Sequence, residues 1–370
     1  MKFKSHFPAL LFFVLVSGSI AAFAAAAGAV YTETNASSGN AVLVFSRAEN
    51  GQLFSTDLAA YMTGGRGTGT GLGSEGALTV DPSNRFLFAV NAGSNNISTF
   101  TITEQGLSLV GVTPSGGTNP VSLTVNHHLL YVLNAGGDIG GTDSVAGFSI
   151  EDTGRLTPIV SGLQLSGASV SPEEIRFNTD GDLLVVTEKA GNNIDVFTVS
   201  QNGLASGPRI VASAGQNPYG FDFAKRNQLI VSDAVGGDNG AGAVSSYAAS
   251  ADGMLQTVTA MSPDNQTAPC WIVLTADGRY AYTTNTGSGT VSSYSVAFDG
   301  TLALLNSAAA TTGASSGPVD EAVSNDSRYL YVLTPGTGKI QGFTIALDGS
   351  LAPLPVTAGV LPSGSGLVAR

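Results

Sequence analysis

The feature that most constrains the fold of this chain is a pattern that it repeats several times. An apolar run rich in β-branched and aromatic residues is followed by a polar residue, a glycine-containing turn and a second alternating run, as in RFLFAVNAGSNNISTF at residues 85–100. Related stretches begin at Leu129, Leu183, Tyr280 and Tyr329. Two alternating runs joined by a short glycine turn predict a β-hairpin. The chain is therefore expected to consist largely of repeated hairpins.

A second repeated segment precedes the hairpins and sets the period of the repeat. It has forms such as NPVSLTV, SPEEIRF and APCWIVL. The residues at its second position are Glu75, Pro120, Pro172, Pro218, Pro269 and Pro318. Their spacing of roughly 45–52 residues is typical of propeller blades, because one small sheet cannot bury both of its faces and must stack on its neighbours.

One further copy of this segment, SGSGLVA from Ser363, is followed by no hairpin. The strands that would complete it stand at the other end of the chain, in AVYTETN from Ala29, NAVLVFSR from Asn40 and residues 52–61. We therefore predict an all-β fold over residues 25–370, a seven-bladed β-propeller with four-stranded blades. Its N-terminal and C-terminal strands share the closing blade, and such closure protects the edges of the sheets.

The first residues predict an export signal. Lys2 and Lys4 precede an apolar run at residues 9–16, and Ala22-Phe23-Ala24 has the small-x-small pattern of a cleavage site. A membrane anchor is the alternative, but the apolar run is short for a hydrocarbon core of about 30 Å. Residues 1–24 are thus predicted to be a signal peptide, and the mature protein to be secreted or periplasmic.

The charge and the cysteine content limit the partners and cofactors. The formal net charge is −12, which disfavours binding to nucleic acid or to an anionic membrane. Cys270 is the single cysteine of the sequence, so neither an intramolecular disulfide nor a thiolate metal cluster is expected. We predict a monomer that binds a small molecule and that contains neither a metal nor a cofactor.

The geometry of a propeller suggests where that ligand binds. The starts of the innermost strands and the turns after the second strands face the same end of the central channel, which is the largest concavity of the fold. The predicted ligand-binding residues at these places are Tyr219, Trp271, Asp320, Glu321, Asn91, Asn134 and Asp233. For each asparagine the alternative role is local turn chemistry, and for Trp271 it is packing.

The segment PEEIR contains the predicted catalytic residues, Glu173, Glu174 and Arg176. Side chains alternate along a strand, so Glu174 and Arg176 share one face while Glu173 points the other way. A carboxylate held at the channel is suited to acid–base catalysis. The alternative is a salt bridge along the strand together with one solvated carboxylate.

The repeated phrases YVLN and YTTN, and the longer TADGRYAYTTN and SNDSRYLYVL, resemble the seven-bladed propeller lactonase family. That family includes the propeller-type 6-phosphogluconolactonases and the carboxymuconate cyclases. The stretch from VYTETN to NNISTF looks similar to secreted cyclase-like members, some of which are surface antigens or adhesion glycoproteins. The resemblance extends over nearly all of the predicted mature chain.

The resemblance also implies positions for His, Arg and Glu residues around the channel. This chain has Glu173, Tyr219, Gly220, Ala234 and Val319 at those positions. Two functions are consequently expected. The first is an exported lactonase-like enzyme acting on a small lactone or a carboxylated sugar-like compound. The alternative is a non-catalytic extracellular binding or adhesion propeller, which would have a surface partner.

Overall fold

The computed structural model describes residues 27–355 and 357–370. These residues form seven separate antiparallel sheets, and strand alternation together with glycine turns accounts for the hairpins within each sheet. The predicted signal peptide, residues 1–24, lies outside the described residues. In the described part of the chain, no helix is both long and apolar enough to cross a membrane.

The blades are numbered here in chain order, and each follows the path innermost, second, third and outermost strand. Blade 1 contains β1 (Gly28–Glu33), β2 (Ala41–Arg47) and β3 (Leu53–Met62), and its innermost strand β29 (Ser365–Ala369) comes from the other end of the chain. Blade 2 contains β4 (Leu78–Val80), β5 (Phe86–Asn91), β6 (Asn96–Thr103) and β7 (Gly106–Pro114). Blade 3 contains β8 (Pro120–Asn126), β9 (Leu129–Ala135), β10 (Asp143–Ile150) and β11 (Leu156–Gln164).

The remaining blades repeat this order. Blade 4 contains β12 (Pro172–Phe177), β13 (Leu183–Glu188), β14 (Asn193–Val199) and β15 (Ala205–Ala212). Blade 5 contains β16 (Pro218–Ala224), β17 (Gln228–Asp233), β18 (Ala243–Ala249) and β19 (Leu255–Pro263). Blade 6 contains β20 (Pro269–Leu274), β21 (Tyr280–Asn285), β22 (Thr290–Val296) and β23 (Leu302–Thr311). Blade 7 contains β24 (Glu321–Val323), β25 (Tyr329–Thr334), β26 (Lys339–Ile345) and the outermost pieces β27 (Leu351–Pro353) and β28 (Thr357–Ala358). Single 3₁₀ turns follow the second strands of four blades, at Ala92–Ser94, Gly137–Ile139, Val235–Gly237 and Pro335–Thr337.

Blade 1 is closed by strands from both ends of the sequence. β29 pairs antiparallel with β1, with Val30 opposite Ala369 and Tyr31 opposite Val368. This pairing confirms the predicted closure and with it the seven-bladed fold.

The core lies between neighbouring blades. Tyr131 and Leu133 of blade 3, for example, pack with Ile175, Phe177 and Leu184 of blade 4. Burying each large apolar side chain stabilises the fold by about 1.5–3 kcal/mol. The second strands are buried along their whole length in several blades, whereas the outermost strands alternate between half-buried and exposed residues.

Tyrosine hydroxyl groups add directional contacts between some neighbouring blades. Tyr131 Oη of blade 3 donates a hydrogen bond to Gly203 O in the β14–β15 turn of blade 4, at 2.6 Å. Tyr282 and Tyr331 make the corresponding bonds to glycine carbonyls of the next blade, at 2.9 and 2.7 Å. The tyrosines of the repeated phrases therefore fix blades 3, 6 and 7 against a hairpin of the next blade.

Candidate site in the central channel

A short stretch of blade 2 crosses the channel near the starts of the innermost strands. We call residues 73–76 the crossing segment. Its hydrogen bonds reach blade 3 through Ser74 Oγ and Val121 O, at 2.9 Å, and blade 4 through Glu75 N and Glu173 O, at 3.2 Å. Gly73 O accepts a hydrogen bond from Tyr219 Oη of blade 5. Because these partners belong to three other blades, the segment must lie across the channel.

A cavity of about 500 Å³ occupies the channel beside the crossing segment. Its lining extends from Glu75, Glu174 and Asp320 to Pro82 and Asn126, near the ends of the innermost strands. The crossing segment occupies the region around the strand starts, where the sequence placed the ligand. Strand β4 is only three residues long, and the chain before it turns inward as the crossing segment. The cavity therefore extends from this segment toward the opposite end of the channel.

Carboxyl groups in this cavity accept hydrogen bonds from backbone N–H groups at the inner edges of other blades. Glu174 Oε2 accepts from Phe221 N at 2.6 Å, and Asp320 Oδ2 accepts from Gly366 N at 2.8 Å. Asp222 Oδ2 accepts from Leu274 N at 3.0 Å, and Glu75 Oε2 accepts from Ile272 N at 3.3 Å. An innermost strand has no neighbour on its channel side, so its buried donors need such acceptors. These four carboxyl groups thus have a structural role.

Arg176 is the one basic residue among the described residues that line the cavity. Its Nε donates to Glu174 Oε1 at 2.7 Å, and its Nη1 donates to Asp222 Oδ1 at 3.2 Å. Its side chain is 32% exposed, while that of Glu174 is 1% exposed. The two carboxylates fix the guanidinium, and a planar group held in this way has further N–H donors to offer a ligand.

Burial changes the protonation of the carboxyl groups in the cavity. Burial and the neighbouring charge of Glu174 raise the pKa of Glu75 well above its ordinary value. Burial also raises the pKa of Glu174, although Arg176 opposes this change. Burial raises the pKa of Asp320 to about 7 in spite of hydrogen bonds from the backbone. A carboxyl group with a pKa of about 7, as in Asp320, can exchange protons near neutral pH.

Glu321 differs from the other carboxyl groups of the cavity. It is 3% exposed, and burial raises its pKa well above the ordinary value, although the nearby Thr284 N–H opposes this. Among the residues that the structure describes, neither carboxyl oxygen finds a hydrogen-bond partner of standard geometry. Both oxygens are buried away from the surface of the cavity, and the raised pKa favours the neutral acid form of Glu321 there.

Three of the predicted site residues lie around the crossing segment and do not line the cavity. Glu173 forms an ion pair with Lys189, whose Nζ lies 5.1 Å from the centroid of the Tyr219 ring. The rings of Tyr219 and Trp271 pack with centroids 5.3 Å apart. Glu173 and Glu174 thus point to different surroundings, as strand alternation predicts.

Asn91, Asn134 and Asp233 are also outside the cavity lining. Each is fully buried at the end of the second strand of its blade. Asn91 Nδ2 donates to Asn96 Oδ1 and to Ser98 Oγ, both at 2.7 Å, within its own blade. Burial raises the pKa of Asp233 well above its ordinary value. These places lie at the turns and between blades, so the structure separates the three residues from Arg176.

Of the predicted site residues, the structure therefore brings Glu174, Arg176, Asp320 and Glu321 together in one cavity. Asp222 is a member of the site that sequence reasoning missed. Its signal was present, because Asp222 in NPYGFDF occupies the same repeat position as Arg176 in SPEEIRF. Opposite charges at one repeat position of adjacent blades predict an ion pair. Glu75 is the exception to the repeated proline, but it begins an innermost-strand segment and was for that reason expected at the channel, and it lines the same cavity.

The family model of the lactonases, described as "Lactonase, 7-bladed beta-propeller", matches residues 21–171 and 214–366. The matched residues make up most of the chain and cover most of the other six blades, whereas all four strands of blade 4 lie between the two matched ranges. The fold and this match together define a seven-bladed propeller of the lactonase class. The chain belongs to the lactonase family of seven-bladed β-propellers. No curated protein matches the chain.

Solved structures from several bacteria have the same fold. A candidate 6-phosphogluconolactonase from Bacteroides uniformis superposes with a TM-score of 0.72 at 19% identity, covering 93% of this chain and 99% of that one. The periplasmic gluconolactonase of Pseudomonas aeruginosa superposes with a TM-score of 0.71 at 18% identity, covering 92% and 98%. At these identities the similarity is one of fold alone.

Proposed function

We propose that this chain hydrolyses a small lactone in the channel cavity, with Arg176 binding the lactone carbonyl. The observation that carries the proposal is the placement of Arg176. Two carboxylates hold its guanidinium at 2.7 and 3.2 Å, and about a third of its side chain faces a cavity large enough for a small ring. Membership of the lactonase family supports the reaction class.

Hydrolysis of a lactone needs a base, an acid and a group that stabilises negative oxygen. Glu174 would accept a proton from water, whose oxygen adds to the carbonyl carbon while Arg176 stabilises the negative oxygen. The ring C–O bond then breaks, and a protonated carboxyl group gives its proton to the departing ring oxygen. Glu75 is suited to this step because its raised pKa keeps the acid form. The product is an open-chain hydroxy acid.

The charge of the cavity bears on the substrate. Five carboxyl groups and one guanidinium line it. This excess of acidic groups favours an uncharged or cationic lactone over a carboxylated one, because like charges at short range repel in a site of low dielectric constant.

The test is to measure the hydrolysis of a panel of small lactones through the protons that it releases at constant pH. Glu174→Gln should lower kcat by about 10²–10⁴ through loss of the base. Arg176→Lys should lower it by about 10²–10³, because lysine lacks the planar fork. Glu104→Gln is the control, since Glu104 is exposed in a hairpin turn. Equal rates for wild type, Glu174→Gln and Arg176→Lys would refute the mechanism.

A non-catalytic binding propeller is the second candidate. Two observations favour it. Glu174, Asp222, Asp320 and Glu75 already cap backbone donors, and the positions where the family resemblance implies His or Arg contain none. A panel in which no lactone is hydrolysed, although a lactone analogue binds in the cavity, would establish this candidate. An extracellular surface partner would then be expected.

Export is part of the proposal, because residues 1–24 have the pattern of a cleaved signal peptide. Mass spectrometry of the protein recovered from outside the cytoplasm should give an N-terminus near Ala25. An intact Met1 on protein in the cytoplasm would contradict export.

A further inference from the structure

One repeat position of the innermost strands forms a ring around the cavity. Its residues pair with the middle of the second strand of their blade, as Arg176 pairs with Val185 and Val273 with Tyr282. All seven residues at this position line the cavity, and in order from blade 1 to blade 7 they are Val368, Thr79, Thr124, Arg176, Asp222, Val273 and Ala322. We call them the lining ring.

The lining ring divides into two arcs of different polarity. Blades 2–5 contribute two threonines, Arg176 and Asp222, which we call the polar arc. Blades 6, 7 and 1, which are neighbours in the closed ring, contribute Val273, Ala322 and Val368. We call these three residues the apolar arc. Because each arc is continuous, the cavity has one polar side and one apolar side.

The apolar arc is flanked by further apolar residues toward the open end of the cavity. The residues that follow its members along their strands are Leu274, Val323 and Ala369, and all three line the cavity. A ligand on this side of the cavity therefore contacts hydrocarbon.

Two carboxyl groups of blade 7 precede Ala322 in the chain, but neither makes the apolar arc polar. Both oxygens of Glu321 are buried away from the surface of the cavity. Asp320 accepts a hydrogen bond from Gly366 N at 2.8 Å. It comes two residues before Ala322, so at about 3.3 Å per residue it lies about 6–7 Å closer to the crossing segment.

Arg176 and the apolar arc face each other across the channel. In a ring of seven, the blades opposite blade 4 are blades 7 and 1, which contribute Ala322 and Val368. With the lactone carbonyl beside Arg176, as the proposed function requires, the far side of the lactone ring lies toward these two residues. A hydroxyl group there would lose its water without gaining a partner, whereas burial of a hydrocarbon group is favourable.

We infer that the substrate is a small uncharged lactone with a hydrocarbon substituent, an assignment that rests on the proposed function. The polar arc receives the lactone group, and the apolar arc receives the substituent. A cavity of about 500 Å³ has room for a lactone ring with a short alkyl chain. Sugar lactones, which carry hydroxyl groups around the ring, should bind poorly because some of these groups would face the apolar arc.

Binding is tested with lactams, which a lactonase cannot readily hydrolyse. The ligands are 6-methyl-2-piperidinone, 6-propyl-2-piperidinone and the lactam of gluconic acid, which share a six-membered ring. Calorimetry with the mature chain should show the propyl lactam binding about tenfold more tightly than the methyl lactam, because two more methylene groups are buried. The gluconic acid lactam should bind about tenfold or more weakly than the methyl lactam. Equal affinities for the methyl and propyl lactams, or a preference for the gluconic acid lactam, would overturn the inference.

A double variant tests whether the apolar arc holds the substituent. Val368→Thr and Ala322→Ser together add hydroxyl groups opposite Arg176 with little change of shape. They should reduce the preference for the propyl over the methyl lactam to about threefold or less, because the propyl group would cover the new hydroxyl groups. Val112→Thr is the control and should keep the full preference, since Val112 is 40% exposed on the outermost strand of blade 2.

A folded double variant that keeps the full preference would show that the substituent does not contact the apolar arc, and the inference would be wrong. If the double variant fails to fold, the three affinities of the wild-type chain still decide the inference.

The corresponding three lactones separate this inference from the proposed function. Hydrolysis of the propyl lactone with a higher kcat/KM than the methyl lactone would support both. Hydrolysis with a preference for the gluconic acid lactone would overturn the inference and leave the hydrolase. Selective binding of the propyl lactam without hydrolysis of any lactone would overturn the hydrolase and leave the apolar arc as a binding site.

Discussion

Blades 2 and 4 use different polar side chains where the end of the second strand meets the connection from the preceding blade. In blade 2 the second strand ends at Asn91, whose amide donates to Ser98 Oγ at 2.7 Å and accepts from Thr63 Oγ1 at 2.6 Å. Thr63 belongs to the connection from the preceding blade. In blade 4 the corresponding residues are Glu188 and Asp195, and Ser166 N donates to both carboxyl groups at 2.9 Å.

The difference shows what a buried amide provides that a carboxyl pair does not. Asn91 both donates and accepts, so its contacts are satisfied without a change of protonation. Glu188 and Asp195 only accept when ionised, and both are fully buried. Burial and the charge of Glu188 raise the pKa of Asp195 to about 8. Blade 4 therefore holds a proton that blade 2 does not need.

The largest expected effect concerns the ion pairs of blade 4. Arg176→Leu leaves Glu174 and Asp222 without their cation in the channel, and breaking a buried pair in this way costs about 3–5 kcal/mol. Thr79→Val changes the same repeat position in blade 2, where no ion pair exists among the described residues, and should cost less than about 1 kcal/mol. Urea denaturation of both variants measures the difference. Similar losses in the two variants would contradict the contrast between the blades.

The carboxyl pair of blade 4 predicts a pH dependence of stability. The pKa of Asp195 rises from 3.8 to about 8 on folding, so between these values the folded chain keeps a proton that the unfolded chain has lost. The contribution of the pair to the free energy of unfolding therefore falls as the pH rises through this range.

Asp195→Asn should remove this dependence and stabilise the protein at pH 8–9 by about 1–3 kcal/mol, the usual cost of an unsatisfied buried polar group. The reverse change, Asn91→Asp, should introduce a loss of stability at high pH into blade 2. Melting temperatures of both variants between pH 5 and pH 9 provide the measurement. Parallel pH profiles for wild type and Asp195→Asn would show that the pair does not titrate in this range.

The smallest effect concerns the contact that fixes blade 4 to blade 3. Tyr131→Phe removes the hydroxyl that donates to Gly203 O and accepts from Ala205 N at 2.9 Å. The loss should be about 1–2 kcal/mol at every pH. Phe88 occupies the same repeat position in blade 2, so Phe88→Leu serves to measure packing without a hydroxyl. A pH-dependent loss in Tyr131→Phe would indicate coupling to the carboxyl pair.

Part of the site was predictable because strand alternation is local. The placement of Glu174 and Arg176 on one face follows from their spacing of two residues, and the structure joins them at 2.7 Å. Asp320 and Glu321 were expected at the channel because they begin an innermost strand, and both line the cavity. Tyr219 and Trp271 were expected there for the same reason, but the crossing segment lies beside them. The sequence contains no local signal for a segment that leaves its own blade.

The sequence by itself determined the period, the hairpins and the closure of the ring, because turn residues and apolar alternation act within a few residues of one another. Only the tertiary structure decided which end of the channel holds the cavity and which carboxyl groups are already occupied. Glu75 reaches the backbone of Ile272, 197 residues further along the chain, and Asp320 reaches Gly366. Contacts of this kind exist only after the blades have closed into a ring, since the acceptor on one blade and the unpaired strand edge on another meet nowhere else.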